Sequence, residues 1–314
     1  MGGLVLSRGP ERLRFFSEGW GGAAQLRSLG LPQEPPSPIE IEWGPPRFSG
    51  ALSVRDGTFL SPVAALPAVT RDAQVRRIAP AAGADRICLL MAAWNDHGYE
   101  TRTRLARQLA GRGIASLLLL QPYYGPRRPH PDVHQPIATV ADFALMGHAA
   151  LEEGRALLGW AGERRYQPGV SGYSMGGNMA ALISATVASP VATAPLAASH
   201  SPAPVYLDGV LRAGIAWEAL GGENAAAPRL RDLLLMASAL RVPPAPHTAH
   251  AVIVGARHDA YVPRSATEDL HHHWPGSELR WHGGGHATLL WLRMHRLADA
   301  VADSFARTFP VRRS

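Results

Sequence analysis

Two spacings of apolar residues alternate along this chain. Short unbroken apolar runs occur at Arg86 to Ala93 (RICLLMAA), Ile114 to Leu120 (IASLLLL), His250 to Val254 (HAVIV) and, less purely, Ser277 to His282 (SELRWH). Runs this short suit strands buried on both faces better than helices. Pro190 to Ala198 (PVATAPLAA) predicts another, weakened by Pro195, which has no N–H for a sheet ladder. Between the runs lie stretches with helical spacing at Tyr99–Gly111, Ile137–Trp160, Ser265–His273 and Ala287–Phe309. In the second of these, Ile137, Val140, Ala144, Leu151 and Leu158 fall along one side. Upstream the pattern changes to strict alternation, IEIEW from Ile39 and FSGALSVRDGTF from Phe48, with Asp56-Gly57 as a turn signal. Those stretches predict antiparallel strands that open the sheet, and VTRDAQVRRIAP after them predicts a short strand.

Two regions break the alternation. Residues 10–30 read as short helical pieces interrupted by Gly19, Gly21 and Gly22; Leu13, Phe15, Phe16 and Trp20 are apolar enough to dock on the domain or touch a membrane. The proline-rich stretch LPQEPPSP completes an N-terminal segment, 1–38, ahead of a main domain, 39–314. Within that domain, Ser199 to Pro246 reads as a cap insertion with a helix over RLRDLLLMASALR. Strands alternating with helices through right-handed crossovers imply an α/β fold: a mostly parallel sheet, helices on both faces and a small cap.

One stretch carries chemistry. Gln167 to Ala188 (QPGVSGYSMGGNMAALISATVA) holds Gly172-x-Ser174-x-Gly176 between a short apolar approach and an alanine-rich helical pattern. Strand, tight turn, helix is the setting of a nucleophile elbow, in which the serine sits on a strained turn and glycine neighbours avoid clashes. The motif recurs by chance in a chain with 32 glycines, so its partners decide the matter. A serine nucleophile needs a base, an orienting acid and donors for the oxyanion. In α/β-hydrolases the chain order is serine, acid, histidine, each after a strand. Asp259 follows HAVIV in GARHDAYVP, and His286 follows SELRWH in GGGHATLL. Asp208 competes as the acid, and His282 and His97 compete as the base. The expected oxyanion donors are the backbone N–H groups of Met175 and Trp94; for the Trp94 indole itself, simple packing is the alternative reading. Asn95, Tyr123, Tyr124 and Arg127, with Arg128, fall in loops at the edge where ligands bind such sheets, and are read as substrate-binding candidates. Arginine suits phosphate, and a solvated loop is the plainer alternative.

Composition narrows this only slightly. The chain has 314 residues, 46% hydrophobic and 18% charged, which describes a globular protein with a substantial core. The net charge is +6, and all 31 basic residues are arginine. A basic surface favours anionic partners such as phospholipid head groups. No basic block interleaved with aromatics points to nucleic acid. Cys88 is the only cysteine, so neither a disulfide nor a cysteine metal site is expected; adjacent histidines at 271–273 point in different directions on a helix, and no metal or other cofactor is expected. No apolar run reaches membrane-spanning length and the start of the chain lacks a secretory pattern, so a cytoplasmic protein is expected.

The stretches FFSEGWG, WNDHGYETRTRLARQLAGRGIASLLLLQPYYGPRRP, VADFALMGHAALEE, GYSMGGNMAAL, DGVLRAGIAW and GGGHA resemble the family of abhydrolase domain-containing protein 18. The resemblance implies an α/β-hydrolase fold and hydrolysis of acyl esters or lipids, with Ser174, Asp259 and His286 at the matching positions. Two residues depart from the pattern: Asn95 stands where a glycine is expected and Asn178 where a histidine is usual. The expected activity is serine ester hydrolysis, with lipid or phospholipid acyl groups as substrate. A non-catalytic binding protein, an acyltransferase or a peptidase on the same residues are the alternatives.

Overall fold

A computed structural model describes residues 14–26, 30–32, 34–129 and 137–310. Leu13 and the second half of the loop that begins at Gln121 lie outside the described residues. The strands are β1 (Glu42–Trp43), β2 (Arg47–Ser49), β3 (Leu52–Leu60), β4 (Asp72–Pro80), β5 (Arg86–Met91), β6 (Ile114–Leu119), β7 (Gln167–Tyr173), β8 (Ala192–Leu196), β9 (Val252–Ala256) and β10 (Glu278–His282). They form one 10-stranded sheet in the order β1-β3-β4-β6-β5-β7-β8-β9-β10, with β2 beside β3. Pairing is antiparallel from β1 to β6 and parallel from β6 to β10. This is the mixed, mostly parallel sheet that the two spacings imply.

The helices are α1 (Ala23–Leu26), α2 (Ala68–Arg71), α3 (Glu100–Ala110), α4 (Val140–Glu163), α5 (Met175–Ala185), α6 (Pro202–Leu207), α7 (Glu223–Met236), α8 (Arg264–His273), α9 (His286–Leu292) and α10 (Met294–Thr308). Side chains alternate sides along a strand, so β5 feeds two cores. Ile87, Leu89 and Met91 pack with Leu157 and Ile183 beneath α4 and α5. Cys88 and Leu90 pack with Leu105, Leu109, Val301 and Phe305 beneath α3 and α10. Burying a side chain of this size contributes about 1.5–3 kcal/mol, which is why the central strands read as unbroken apolar runs. Thr139 starts α4 with a capping box: its hydroxyl accepts from the Asp142 N–H at 3.0 Å, and Asp142 accepts from the Thr139 N–H at 3.2 Å.

Several boundaries differ from the sequence reading. Asp56-Gly57 is no turn; β3 runs straight through it. Asp56 is held by Arg76 and Arg47, at 2.6 Å each, and Gly57 leaves room for Ile41 and Trp43 of the neighbouring segment, which a Cβ there would meet at 2.8 Å. The reversal falls instead between β2 and β3, where Gly50 takes φ +58°. β4 is nine residues long rather than a short strand. Pro195 lies inside β8, between two other strands. It is tolerated because β8 meets β9 in register only at Leu196–Val254, so no extended ladder needs its missing N–H. The helix read from Arg229 starts earlier, at Glu223, and passes through Pro228. The closing helix is two helices, α9 and α10, meeting at Arg293.

Between β8 and β9 lie α6, α7 and short 3-10 turns, the stretch read as a cap. They share a third apolar cluster with the N-terminal segment and the start of α4. Phe15 is extended rather than helical: its N–H donates to the Gly214 carbonyl at 2.8 Å, and its own carbonyl accepts from the Ala216 N–H at 2.9 Å. Its ring meets Tyr206 edge-on at 5.1 Å, and Phe16 meets Phe143 at 6.1 Å. Both phenylalanines are buried. Among the described residues, no helix is long and apolar enough to cross a membrane.

Candidate active site

The C-terminal ends of β5, β7, β9 and β10 come together at one edge of the sheet. Ser174 is the hinge between β7 and α5, with φ 57° and ψ −118°. A side chain rarely adopts that backbone, which costs on the order of 1–3 kcal/mol and persists only where the surroundings enforce it. Here the Ser174 N–H donates to the Leu196 carbonyl at 2.8 Å and its carbonyl accepts from the Asn178 N–H at 3.0 Å. The glycines around it are sterically required. A Cβ on Gly172 would meet Gly176 at 2.5 Å, one on Gly176 the Met91 carbonyl at 2.4 Å, and one on Gly177 the Leu196 carbonyl at 2.7 Å. Ser174 and Met175 remain half-buried, open enough to reach a ligand.

Asp259 and His286 meet. The His286 Nδ1 lies 2.6 Å from Asp259 Oδ2, and the other oxygen, Oδ1, accepts from the Tyr261 and Val262 N–H groups at 2.9 and 3.0 Å. The Asp259 side chain is 3% exposed and that of His286 15%. A buried carboxylate facing Nδ1 favours the tautomer with the proton on Nδ1, which leaves Nε2 free to accept one. Two loops are tied so that this pair can form: the Arg257 N–H donates to the His282 carbonyl at 2.8 Å and the His258 N–H to the Gly284 carbonyl at 3.1 Å. No hydrogen bond joins the Ser174 hydroxyl to the His286 ring among the described residues; bonds of this kind tighten when substrate binds.

The competing residues are otherwise engaged. Asp208 forms an ion pair with Arg231 at 2.6 Å. His282 lies within β10, and burial followed by Arg296 and Arg293 pushes its pKa down. The His97 ring packs at a 51° tilt against Tyr124, with ring centres 4.6 Å apart, and faces Arg128. In the histidine run, His271 contacts Ser277 at 2.9 Å and His273 the Val242 carbonyl at 2.8 Å.

The loop after β5 presents backbone donors. Asn95 has φ 64°, the left-handed region a glycine would take freely, so the departure from the family pattern leaves a glycine-like backbone. Its N–H is used by the Tyr124 hydroxyl at 3.4 Å, whereas the Trp94 N–H has no acceptor among the described residues. Met175, first in α5, has no intrahelical acceptor either. The Trp94 ring packs on Phe15, with centres 5.4 Å apart. The Asn95 side chain is exposed at this edge.

The loop after β6 requires a correction. Arg127 is neither solvated nor positioned for a ligand: it is 0% exposed and grips Glu153 through both guanidinium nitrogens at 2.5 and 2.8 Å. It also donates to the carbonyls of Thr70 and Leu120, each at 2.6 Å. Tyr124 is likewise fully buried, its hydroxyl accepting from Asn95, and Tyr123 is buried with φ 67°. All three side chains are thus taken up by the interior, Tyr123 and Tyr124 in the apolar cluster against which Trp94 and Met175 pack.

Other supporting residues escaped the sequence reading. The Tyr173 hydroxyl donates to the His286 carbonyl at 2.6 Å, and the rings of Tyr173 and Tyr261 lie 5.1 and 5.0 Å from that of His286. Arg102 is buried with Asp96 at 2.6 Å and donates to the carbonyls of Leu90 and Gly98, at 3.0 and 2.7 Å. Burial raises the Asp96 pKa while Arg102 opposes the rise. Asn178, one turn beyond Ser174, donates to the Ser199 carbonyl at 3.0 Å and so ties α5 to the start of the stretch between β8 and β9. Asp96 and Arg102, loop and first helical turn, have a spacing that could suggest a cap-like clamp; the tyrosines give no local sign.

A mixed sheet with a serine on a strained strand–helix turn, and an Asp–His pair after later strands, defines an α/β-hydrolase fold. The chain belongs to the family described as alpha/beta hydrolase domain containing 18, which matches residues 13–239 and 223–307. Solved structures agree on the fold. An esterase from an Arctic intertidal metagenomic library superposes with a TM-score of 0.53 at 19% identity, covering 84% of this chain and 99% of its own. The acetyl xylan esterase of Paenibacillus sp. R4 gives 0.55 at 14%, covering 88% and 91%, and the α/β hydrolase GrgF of Penicillium sp. sh18 gives 0.56 at 15%, covering 82% and 99%.

Proposed function

We propose that this protein is a serine hydrolase of carboxylic esters. The observation that carries the reading is the buried Asp259–His286 pair at 2.6 Å, set beside a serine held at φ 57°. Ser174 Oγ attacks the ester carbonyl while His286 Nε2 takes its proton. The oxyanion receives the N–H groups of Met175 and Trp94. Collapse expels the alcohol, protonated by His286, and leaves an acyl-enzyme. Water then attacks with His286 again as base, releasing the acid and restoring Ser174. Asp259 orients the imidazole and stabilises its charged form. No metal or organic cofactor enters this chemistry.

The substrate we propose is a lipid or phospholipid acyl ester. Support comes from the half-buried Trp94 and Met175 side chains, which leave apolar surface beside the serine and rest on the packed cluster that includes Phe15 and Tyr206. A fluorophosphonate probe is expected to label the wild type and to leave Ser174→Ala unlabelled; labelling that persists in the variant removes the serine from this role. A screen across acyl-chain lengths, phospholipids, peptides and added alcohols then separates hydrolysis of lipids from peptidase and transferase activity.

A further inference from the structure

The large apolar side chains left exposed on this molecule are unevenly placed. Among the described residues they are Phe48, Leu60, Val69, Val210, Trp291 and Leu292. Apart from Phe48, each lies at the sheet edge that carries Ser174. Leu60 ends β3, which runs parallel to β6 through two antiparallel pairings, and Val69 lies in α2, whose Thr70 hydroxyl donates to the Arg127 carbonyl at 2.9 Å just past β6. Val210 donates its N–H to the Ala260 carbonyl beside Asp259, at 3.0 Å. Trp291 and Leu292, 54% and 70% exposed, end the short helix that begins with His286. Phe48 sits at the opposite edge, paired with Ser53 at the start of β3.

Cations accompany these side chains. The Arg104 guanidinium lies 4.9 Å from the centre of the Trp291 ring. Arg293 and Arg296 follow Leu292, and Arg257 follows β9; all three are exposed and form no ion pair among the described residues. Tryptophan and leucine rimmed by arginine is the composition of a surface seated at a bilayer–water boundary, with rings at head-group level and cations on anionic lipid. The side chains project from several separate elements around a rim and do not line one groove. A fluid, flat, negatively charged partner fits that arrangement better than a helix or strand of another protein.

We propose that the edge carrying Ser174 docks on bilayers containing anionic phospholipid, with Trp291 and Leu292 as the inserting side chains and Arg257, Arg293 and Arg296 as the electrostatic contact. Docking in this orientation puts the serine against the lipid surface. Under the reading given above, ester bonds would then reach Ser174 from the bilayer without crossing bulk water. The docking itself does not depend on hydrolysis.

The test is co-sedimentation of the full chain with vesicles of phosphatidylcholine alone and of phosphatidylcholine mixed with phosphatidylglycerol. The wild type is expected to pellet with the mixed vesicles and to be released by salt, since screening shortens the reach of the arginines. Trp291→Ser combined with Leu292→Ser is expected to weaken binding by about tenfold or more. Replacing Arg257, Arg293 and Arg296 by Gln is expected to weaken it by about fivefold per residue. Phe48→Ser, at the far edge, is expected to bind as wild type, and so is Ser174→Ala, which separates docking from catalysis. Because the changed residues are exposed, melting curves should stay near wild type. Three results overturn the proposal: no pelleting with anionic vesicles, undiminished pelleting of the Trp291/Leu292 variant, or a wild-type dimer that this variant dissolves, which would assign the face to a second copy of the chain.

Discussion

Two loops leave neighbouring strands at the same edge of the sheet, and they have opposite uses. The loop after β5, Trp94 to Gly98, keeps its backbone available: the Trp94 N–H has no acceptor among the described residues and Asn95 is exposed. The loop after β6 turns inward, with Tyr124 and Arg127 both 0% exposed. Each depends on one buried arginine. Arg102 clamps the first loop from behind through Asp96, Gly98 and the end of β5, while Arg127 is itself part of the second and fastens it to α4 and α2. An arginine near a site can thus be scaffolding because its five donors satisfy many carbonyls at once.

The largest expected effect breaks the second loop. Arg127→Met leaves Glu153 as a buried carboxylate without its counter-charge, which costs about 3–5 kcal/mol in stability. Urea unfolding should show this loss, and adding Glu153→Leu should recover much of it, because the pair of charges is then replaced together. If Arg127 held substrate instead, KM would rise while unfolding stayed unchanged.

Breaking the first loop should act on turnover. Arg102→Lys keeps the charge but loses the fork that holds Asp96 and the Leu90 carbonyl together. A misplaced oxyanion donor costs roughly 10²-fold in rate. With a soluble ester the expected result is a fall in kcat of that order with KM little changed; equal loss in both parameters would show that the loop binds substrate instead.

The contrast also explains what the sequence could convey. Unbroken apolar runs and the Gly172–Gly177 turn are local patterns, dictated by burial on two faces and by a Cβ that cannot fit, so the sheet and the elbow were readable. The Asp259–His286 pairing was readable from order along the chain. Whether an arginine faces ligand or carboxylate was not, because Arg127 and Glu153 lie 26 positions apart and meet only through the packing of α4 on the sheet. The same holds for Tyr173 and His286, 113 positions apart. Asp56-Gly57 misled for a related reason: its glycine answers to Ile41 and Trp43, which lie on another segment.

A smaller effect tests the link between the loops. Tyr124→Phe removes the acceptor of the Asn95 N–H. Leaving that donor partly buried and unpaired costs about 1 kcal/mol, so a fall in kcat of about fivefold is expected, with urea unfolding shifted by a similar free energy. An unchanged kcat would mean that Tyr124 does not govern the position of the Trp94–Asn95 backbone.

His97 offers the weakest and most specific probe, because it joins the two loops: it belongs to the first and packs on Tyr124 and Arg128 of the second, the latter at 3.1 Å. Burial first, then the Arg128 charge, lowers its pKa from the ordinary 6.5. In the folded state it therefore stays neutral at a pH where the unfolded chain already binds a proton. The unfolded state takes up more protons, so stability falls as pH drops through 6.5 and continues to fall until the folded ring is protonated too. His97→Gln keeps a polar side chain and removes this proton, so the slope of stability against pH below that value should become shallower, by on the order of a few tenths of a kcal/mol after solvent screening. His148, His200 and His247 have pKa values lowered by burial as well, so the slope should shrink without vanishing. A slope identical to that of the wild type would mean that the two loops close without desolvating the ring between them.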